Sequence, residues 1–238
     1  MTSSNPTVVL VHGAFADSSS WDGVARELTA RDRDVVSLAN PLRSVQGDAA
    51  YLRDFIAGLG TAVVLVGHSY GGMVITEAAS DNDAVKALVF VAAFAPAPGE
   101  SALELSGRHP GSTLGDTLFA YPVSSGGNEF RIDPEKFPDQ FAADVDPTLA
   151  AAMAISQRPV TEKALSDTLS ADTAAWKDLP SWFVFGDADK NIPVEALREM
   201  AKRADSKGTR EVPGGSHAVG VSQPRDVTAS IEDALSGL

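Results

Sequence analysis

Residues 65–74 read LVGHSYGGMV and contain the pattern G-x-S-x-G, which is formed by Gly67, Ser69 and Gly71. In this pattern a serine lies on a sharp turn between a strand and a helix, so that its hydroxyl is held above the sheet, where it can attack a carbonyl carbon. The turn is tight, and the positions two before and two after the serine must therefore lack side-chain bulk. The pattern by itself is also compatible with a glycine-rich turn that carries a solvent-exposed serine.

The sequence on either side of this turn favours a nucleophile. An apolar, β-branched run at 62–66 predicts a strand before the turn, and a helix-like run at 73–79 follows it. The positive end of such a helix points at the serine, where negative charge develops during attack on a carbonyl. We therefore interpret Ser69 as a nucleophile.

The composition indicates one globular α/β domain. The chain has 238 residues, of which 44% are hydrophobic and 21% charged, and these values are ordinary for a soluble protein. It has no cysteine, which excludes disulfides, a thiolate metal site and a cysteine nucleophile and fits a cytoplasmic location. The formal charge of −13 argues against nucleic acid or an anionic membrane as the main partner. We expect neither a membrane span nor a signal peptide, because no apolar run has the required length.

Short apolar runs alternate with helical patterns along the chain. The strand candidates are residues 7–11, 34–38, 62–66, 85–91, 181–185 and 209–212. The helical patterns begin near Ser20, Asp48, Ser69, Pro193 and Pro224. Such alternation predicts βαβ units and a mostly parallel sheet of about six strands that is flanked by helices.

Residues 96–179 break this alternation. They hold Pro-Ala-Pro-Gly and Ser-Ser-Gly-Gly segments and several short helix-like pieces, without a convincing buried strand. A structureless loop of this length is uncommon unless it is functional. We therefore expect residues 96–179 to form an inserted helical cap over the catalytic edge of a core made of residues 1–95 and 180–238.

An activated serine needs a base, and the base needs an orienting acid. The histidines of the chain are His12, His68, His109 and His217. In open α/β sheets the reacting groups collect at the carboxyl ends of the strands. Only His217 combines such a place, after the last predicted strand, with a position late in the chain order of serine, acid and histidine. We predict that His217 is the base.

Two carboxylates compete for the role of the acid. The strand candidate 181–185 is followed by Gly186, which makes a turn, and then by Asp187 and Asp189. The third position beyond Gly186 curls back toward the site. We therefore favour Asp189 and interpret Asp187 as a solvated turn carboxylate.

A tetrahedral oxyanion needs two backbone N–H groups that are aimed at one point. We assign one to Tyr70, which follows the nucleophile, and one to Ala14, in the loop after the first strand where Gly13 permits close approach. No metal is expected at this site. The candidates for substrate contacts are Phe15, Phe94, Phe119, Tyr121, Met153 and Trp176.

Four motifs together resemble the α/β-hydrolases. They are Val-His-Gly-Ala at 11–14, Gly-His-Ser-Tyr-Gly-Gly at 67–72, Gly-Asp-Ala-Asp at 186–189 and Gly-Ser-His at 215–217. They occur in the order of the family and cover nearly the whole chain. Within the family, the chain resembles the small, cofactor-free esterases that include plant methylesterases and hydroxynitrile lyases. The resemblance implies a catalytic triad of Ser69, His217 and Asp189 and an acyl-enzyme mechanism.

The chain departs from the family pattern at two points. Only six residues precede the first predicted strand, so the first two strands of the full family sheet are expected to be missing. The hydroxynitrile lyases of this branch also carry a lysine directly after the catalytic histidine, where this chain has Ala218. This difference favours hydrolysis over lyase activity.

These observations predict a serine hydrolase that cleaves a small or medium carboxylic ester without a cofactor. The expected partner is the small-molecule substrate, and the oligomeric state is left open, with a homodimer among the options. The alternatives are perhydrolase or haloperoxidase-like chemistry, cleavage of a lactone or a C–C bond, and a non-catalytic receptor for a small ligand. The sequence does not identify the substrate, because specificity depends on the cap.

Overall fold

The computed structural model describes residues 5–124 and 126–238. The strands are β1 (Thr7–Val11), β2 (Val35–Leu38), β3 (Val63–His68), β4 (Val85–Val91), β5 (Leu118–Pro122), β6 (Asn128–Ile132), β7 (Val160–Thr161), β8 (Ser181–Gly186) and β9 (Gly208–Val212). The α-helices are α1 (Asp22–Thr29), α2 (Val45–Leu59), α3 (Gly71–Ala79), α4 (Ala102–Gly107), α5 (Phe137–Phe141), α6 (Pro147–Ser156), α7 (Glu162–Ser166), α8 (Val194–Arg203), α9 (Val219–Ser222) and α10 (Pro224–Ser236). None of the helices in these described residues is long and apolar enough to cross a bilayer.

The core is a six-stranded parallel sheet with the strand order β2-β1-β3-β4-β8-β9. All residues of β1, β3 and β8 are buried. A parallel strand that is covered on both faces reads as a continuous apolar run, which is why these strands can be recognised in the sequence. The predicted six-stranded, mostly parallel sheet with flanking helices is confirmed, although β3 and β8 extend one or two residues beyond their predicted ends.

The strand order places a crevice at the carboxyl edge of the sheet. From β1 the chain runs to β2 on one side and then to β3 on the other, so the winding direction reverses between β1 and β3. Ligands of open α/β sheets bind outside the carboxyl ends of the strands at such a switch point. The loop after β1 and the turn after β3, which holds Ser69, therefore flank the expected site.

The segment 96–179, which we call the cap, lies between β4 and β8 in the chain. It contains the helices α4 to α7, and it also contains an antiparallel sheet of the order β5-β6-β7 that the sequence analysis does not predict. In β5 every side chain is partly or fully exposed. The apolar alternation that identifies a half-buried strand is therefore missing from its sequence.

An ion-pair cluster ties the cap to the core. Glu100 of the cap pairs with Arg203 of α8 at 2.6 Å and with Arg108 at 2.7 Å. Burial, the largest single influence, raises the pKa of Glu100, but hydrogen bonds from Arg203, the Ala97 N–H and Arg108 together outweigh it and lower the pKa to about 2. Glu100 therefore stays ionised, and the cluster stays formed, in mildly acidic solution.

This cluster predicts a pH-dependent stability. The folded-state pKa of Glu100 lies below its ordinary value of 4.5, so its contribution is present above about pH 4.5 and is lost as the pH falls toward about 2. We expect Glu100→Gln to lower the Tm at neutral pH and to flatten the fall in Tm over that acid range, as measured by thermal unfolding. Glu104→Gln is the control, because the Glu104 side chain is 58% exposed and should change the curve little. A Glu100→Gln curve that runs parallel to the wild-type curve across the acid range contradicts this role.

Candidate active site

Ser69 occupies a strained turn between β3 and α3. Its φ angle is 53°, in the left-handed region, which costs a residue with a side chain about 1–2 kcal/mol. The surrounding backbone holds this conformation: the Ser69 N–H donates to Val91 O at 3.2 Å, and Ser69 O accepts from the N–H groups of Gly72 and Phe94 at 3.0 and 3.2 Å. The turn is also tight, since a Cβ on Gly67 would lie 2.7 Å from the carbonyl carbon of Gly71.

Asp189 and His217 form a buried hydrogen-bonded pair. The distance from His217 Nδ1 to Asp189 Oδ2 is 2.7 Å, and both side chains are almost completely inaccessible. The other carboxylate oxygen, Asp189 Oδ1, accepts the backbone N–H groups of Asn191 at 2.7 Å and Ile192 at 3.0 Å. Because an ionised carboxylate only accepts, the hydrogen of this bond is on Nδ1, and in the neutral form of the ring Nε2 then carries the lone pair.

Asp187 is exposed to solvent, as the sequence analysis expects, and it also bonds to the backbone of the loop that carries His217. Its Oδ1 accepts the N–H of Gly214 at 2.6 Å. Gly214 belongs to the His217 loop, which we define as residues 213–218. Asp187 therefore supports that loop from outside.

His217 lies against the residue that precedes Ser69. The rings of His68 and His217 have centroids 4.8 Å apart, and the Nε2 of His68 lies 3.0 Å from the carbonyl oxygen of His217. Burial, and secondarily the charge of His217, lower the pKa of His68 to about 3, so its ring is neutral and its Nε2–H donates to that carbonyl. The Nε2 of His217 is buried and has no hydrogen-bond partner among the described residues. His217 thus lies against the residue before Ser69, and its Nε2 makes no hydrogen bond to Ser69 or to any other described residue.

The two predicted oxyanion donors lie beside Ser69. Ala14 and Tyr70 line the same cavity as Ser69. Among the residues that the structure describes, neither of their backbone N–H groups has an acceptor. A Cβ on Gly13 would lie 2.6 Å from Ser69 Cβ, so only glycine lets the loop after β1 approach this closely.

Buried polar side chains that the sequence analysis did not identify hold these donors in place. Asn40 donates its backbone N–H to Nε2 of His12 at 3.0 Å, and Nδ1 of His12 lies 3.0 Å from Gly13 O. Burial lowers the pKa of His12, so its neutral ring can accept from Asn40 and donate to Gly13. The hydroxyl of Tyr70 donates to Asp48 Oδ2 at 2.9 Å. No sequence motif marks Asn40 or Asp48, because their contacts with His12 and Tyr70 join parts of the chain that are 28 and 22 residues apart.

A cavity of about 130 Å³ opens in front of Ser69. Its core side includes Phe15 and Phe94, as the sequence analysis predicts, and its cap side is mainly apolar, with Leu103, Leu114 and Leu165. The polar residues in its wall include Ser112 and Asn191, which the sequence analysis does not single out.

Four other predicted contact residues lie outside this cavity. Phe119 is 59% exposed, and the hydroxyl of Tyr121 donates to Glu129 within the cap sheet. The indole of Trp176 donates to a backbone carbonyl at 2.7 Å, and Met153 packs against the core from α6. These residues are predicted from their apolar or aromatic character. That character does not determine the direction in which a side chain on a cap element points.

Within residues 5–124 and 126–238, no group of three or more histidine, aspartate or glutamate side chains has the arrangement of a metal site.

Comparisons with known proteins agree with the fold. A model of the alpha/beta hydrolase family matches residues 8–231. The esterase PIR7B of Oryza sativa subsp. japonica is 27% identical over 263 residues, with 95% of this chain and 94% of the relative covered. An alpha-hydroxynitrile lyase of Arabidopsis thaliana is 24% identical over 252 residues, with 94% of each chain covered. The crystal structure of polyneuridine aldehyde esterase superposes with a TM-score of 0.81 at 20% identity, covering 97% of this chain and 99% of that one.

Proposed function

Because the chain belongs to the alpha/beta hydrolase family, we propose that it is a serine esterase that cleaves small or medium carboxylic esters through an acyl-enzyme on Ser69. Its relatives include a protein named as an esterase, which supports ester hydrolysis in general. The observation that carries the proposal is the buried Asp189–His217 pair, whose histidine ring lies 4.8 Å, centroid to centroid, from the ring of His68, the residue before Ser69.

The proposed first half-reaction forms the acyl-enzyme. His217 Nε2 accepts the proton of Ser69 Oγ as this oxygen attacks the ester carbonyl carbon, and the Asp189 carboxylate stabilises the imidazolium that results. The carbonyl oxygen becomes an oxyanion, which accepts hydrogen bonds from the N–H groups of Ala14 and Tyr70. When the C–O bond of the ester breaks, the imidazolium gives its proton to the leaving alcohol.

The second half-reaction reverses the roles with water. His217 Nε2 takes a proton from water, the resulting oxygen attacks the acyl carbon, and Ser69 Oγ leaves with the proton from the imidazolium. The cavity of about 130 Å³ limits the bound group to a small or medium size, and its mainly apolar wall favours a hydrocarbon chain there. Cyanohydrin cleavage is not part of the proposal, because the resemblance implies a lysine after the histidine of the lyases and this chain has Ala218 there.

Labelling with a fluorophosphonate tests this proposal. We expect a tagged fluorophosphonate to modify the protein once, at Ser69, because an activated serine displaces fluoride from phosphorus. Mass spectrometry of the digested protein locates the label, and hydrolysis of esters with graded acyl and alcohol chains identifies the preferred substrate.

The control is a Ser69→Ala variant, which should stay unlabelled. Absence of labelling in the wild-type protein, or labelling at another residue, would refute the serine mechanism. Tight binding of a small ligand without turnover would instead support the non-catalytic receptor.

A further inference from the structure

Helix α5 of the cap contacts the loops that carry both Asp189 and His217. The carbonyl oxygen of Phe141, at the end of α5, accepts the N–H of Ala218 at 3.0 Å and the hydroxyl of Ser216 at 3.3 Å. These two residues flank His217 in the sequence. The preceding residue of α5, Gln140, reaches the other loop.

Gln140 is a buried residue, and both the nitrogen and the oxygen of its side-chain amide are hydrogen-bonded. It is only 5% exposed. Its Nε2 donates to Lys190 O at 2.9 Å and to Asn191 Oδ1 at 2.8 Å, and its Oε1 accepts the hydroxyl of Thr113 at 2.8 Å. The orientation of the amide follows from chemistry, since a backbone carbonyl such as Lys190 O only accepts and must face the nitrogen.

The two residues that accept hydrogen bonds from Gln140 directly follow Asp189, and one of them also donates to its carboxylate. Lys190 and Asn191 directly follow the acid, and the Asn191 N–H is one of the two donors to Asp189 Oδ1. The cap adds two more bonds to the same residues: the Thr113 N–H donates to Lys190 O at 3.0 Å, and the Ser112 hydroxyl donates to Asn191 O at 2.9 Å. The position of the acid therefore depends on the cap as well as on β8.

We propose that Gln140 is a positioning residue for the Asp189–His217 pair. This inference rests on the proposed serine esterase. Gln140 holds the two residues after Asp189, so that the carboxylate keeps its alignment with His217 Nδ1 when the ring becomes charged. The cap then does more than close the cavity, because α5 aligns the acid through Gln140 and the base through the carbonyl of Phe141.

The chain contains a matched control for this role. Gln157 is also a buried amide of the cap, 4% exposed, and its side chain likewise donates two hydrogen bonds and accepts one. Its Nε2 donates to Ile132 O and Ala154 O, and its Oε1 accepts the Ile132 N–H, each at 2.8 Å. All of these partners lie within the cap, so Gln157 shares the structural role of Gln140 but has no link to Asp189.

The experiment compares Gln140→Met with Gln157→Met. We expect both variants to lower the Tm, because Gln140→Met takes the donor from the buried side-chain oxygen of Asn191 and Gln157→Met takes the acceptor from the buried Ile132 N–H. At a temperature well below both transitions, Gln140→Met should lower kcat by about 10- to 100-fold with little change in KM, because a small misplacement of a catalytic pair is costly. It should also shift the acidic limb of the pH profile of kcat/KM, because this limb reports the pKa of the catalytic base in the free enzyme. Gln157→Met should keep kcat and the pH profile of the wild-type protein.

Two further variants cover the case in which Gln140→Met does not fold. Gln140→Glu keeps the size of the side chain and the acceptor for Thr113 but removes both donors, and it should reproduce the loss in kcat. Thr113→Val removes only the hydroxyl that orients Gln140, and it should give a smaller loss in the same direction.

The outcomes separate this inference from the proposed function. If the wild-type protein is labelled by a fluorophosphonate at Ser69 but the Gln140 variants keep their kcat and pH profile, the positioning role is wrong and the esterase proposal stands. Equal losses of kcat in Gln140→Met and Gln157→Met also overturn the positioning role. If the wild-type protein is not labelled at Ser69, the esterase proposal itself fails.

Discussion

Replacement of Ser69 by alanine is expected to lower kcat for ester hydrolysis by about 10⁴- to 10⁶-fold. The variant loses the oxygen that forms the acyl-enzyme, and only the cavity and the N–H groups of Ala14 and Tyr70 remain to accelerate attack by water. The loss should not come from unfolding, because alanine meets the same left-handed backbone as serine at this position. The measurement is the hydrolysis of an activated ester by both proteins, together with their Tm values.

The control for this prediction is Ser80→Ala. Ser80 directly follows α3, and among the residues that the structure describes its hydroxyl bonds only to the carbonyl of Thr76, at 3.1 Å. We expect this variant to keep the wild-type kcat. If Ser69→Ala hydrolyses the ester at the wild-type rate, the nucleophile must be another group.

The second large effect is expected for Asp189→Asn, with a loss in kcat of about 10⁴-fold. The N–H groups of Asn191 and Ile192 face one oxygen of the native carboxylate and need an acceptor there. The new amide therefore turns its oxygen toward them and its nitrogen toward His217 Nδ1. This arrangement favours the tautomer with the hydrogen on Nε2, which cannot take a proton from Ser69.

Asp187→Asn provides the matched comparison. Within the described part of the chain, the Asp187 carboxylate accepts only the N–H of Gly214, and an amide oxygen can accept the same bond. We expect kcat to change by no more than a few-fold, since the His217 loop keeps its support. A larger loss in Asp187→Asn than in Asp189→Asn would reverse the assignment of the acid.

The sheet could be predicted because each of its strands leaves a local signal. Parallel strands that are covered on both faces are continuous apolar runs, and the chain order of the runs limits the topology. Ser69 and Asp189 each follow such a run, and His217 follows the more polar edge strand β9, so the same chain order brings all three to one edge of the sheet. The structure has Asp189 and His217 hydrogen-bonded there, while their catalytic roles remain predictions.

The cap could not be predicted in the same way. The side chains of Leu118–Pro122 are partly or fully exposed, and β5 therefore has no apolar alternation. The contacts that matter most in the cap are made by polar groups far apart in sequence, such as Gln140 and Asn191. From the sequence alone, a buried glutamine in a short helix cannot be distinguished from an exposed one, because its burial depends on distant parts of the chain. Phe119, Tyr121, Met153 and Trp176, which the sequence analysis proposes as substrate contacts, do not line the cavity in front of Ser69. The direction of a side chain on a cap element depends on contacts that the sequence does not reveal.

The left-handed backbone of Ser69 has an evolutionary consequence. Glycine adopts this conformation without the steric cost that a side chain brings, although its freedom in the unfolded chain offsets part of the gain. At this position selection for stability therefore favours glycine, whereas selection for catalysis favours serine. A homologue that has lost the reaction can carry a residue that fits the left-handed turn better. A glycine in place of Ser69 would therefore identify a homologue without esterase activity.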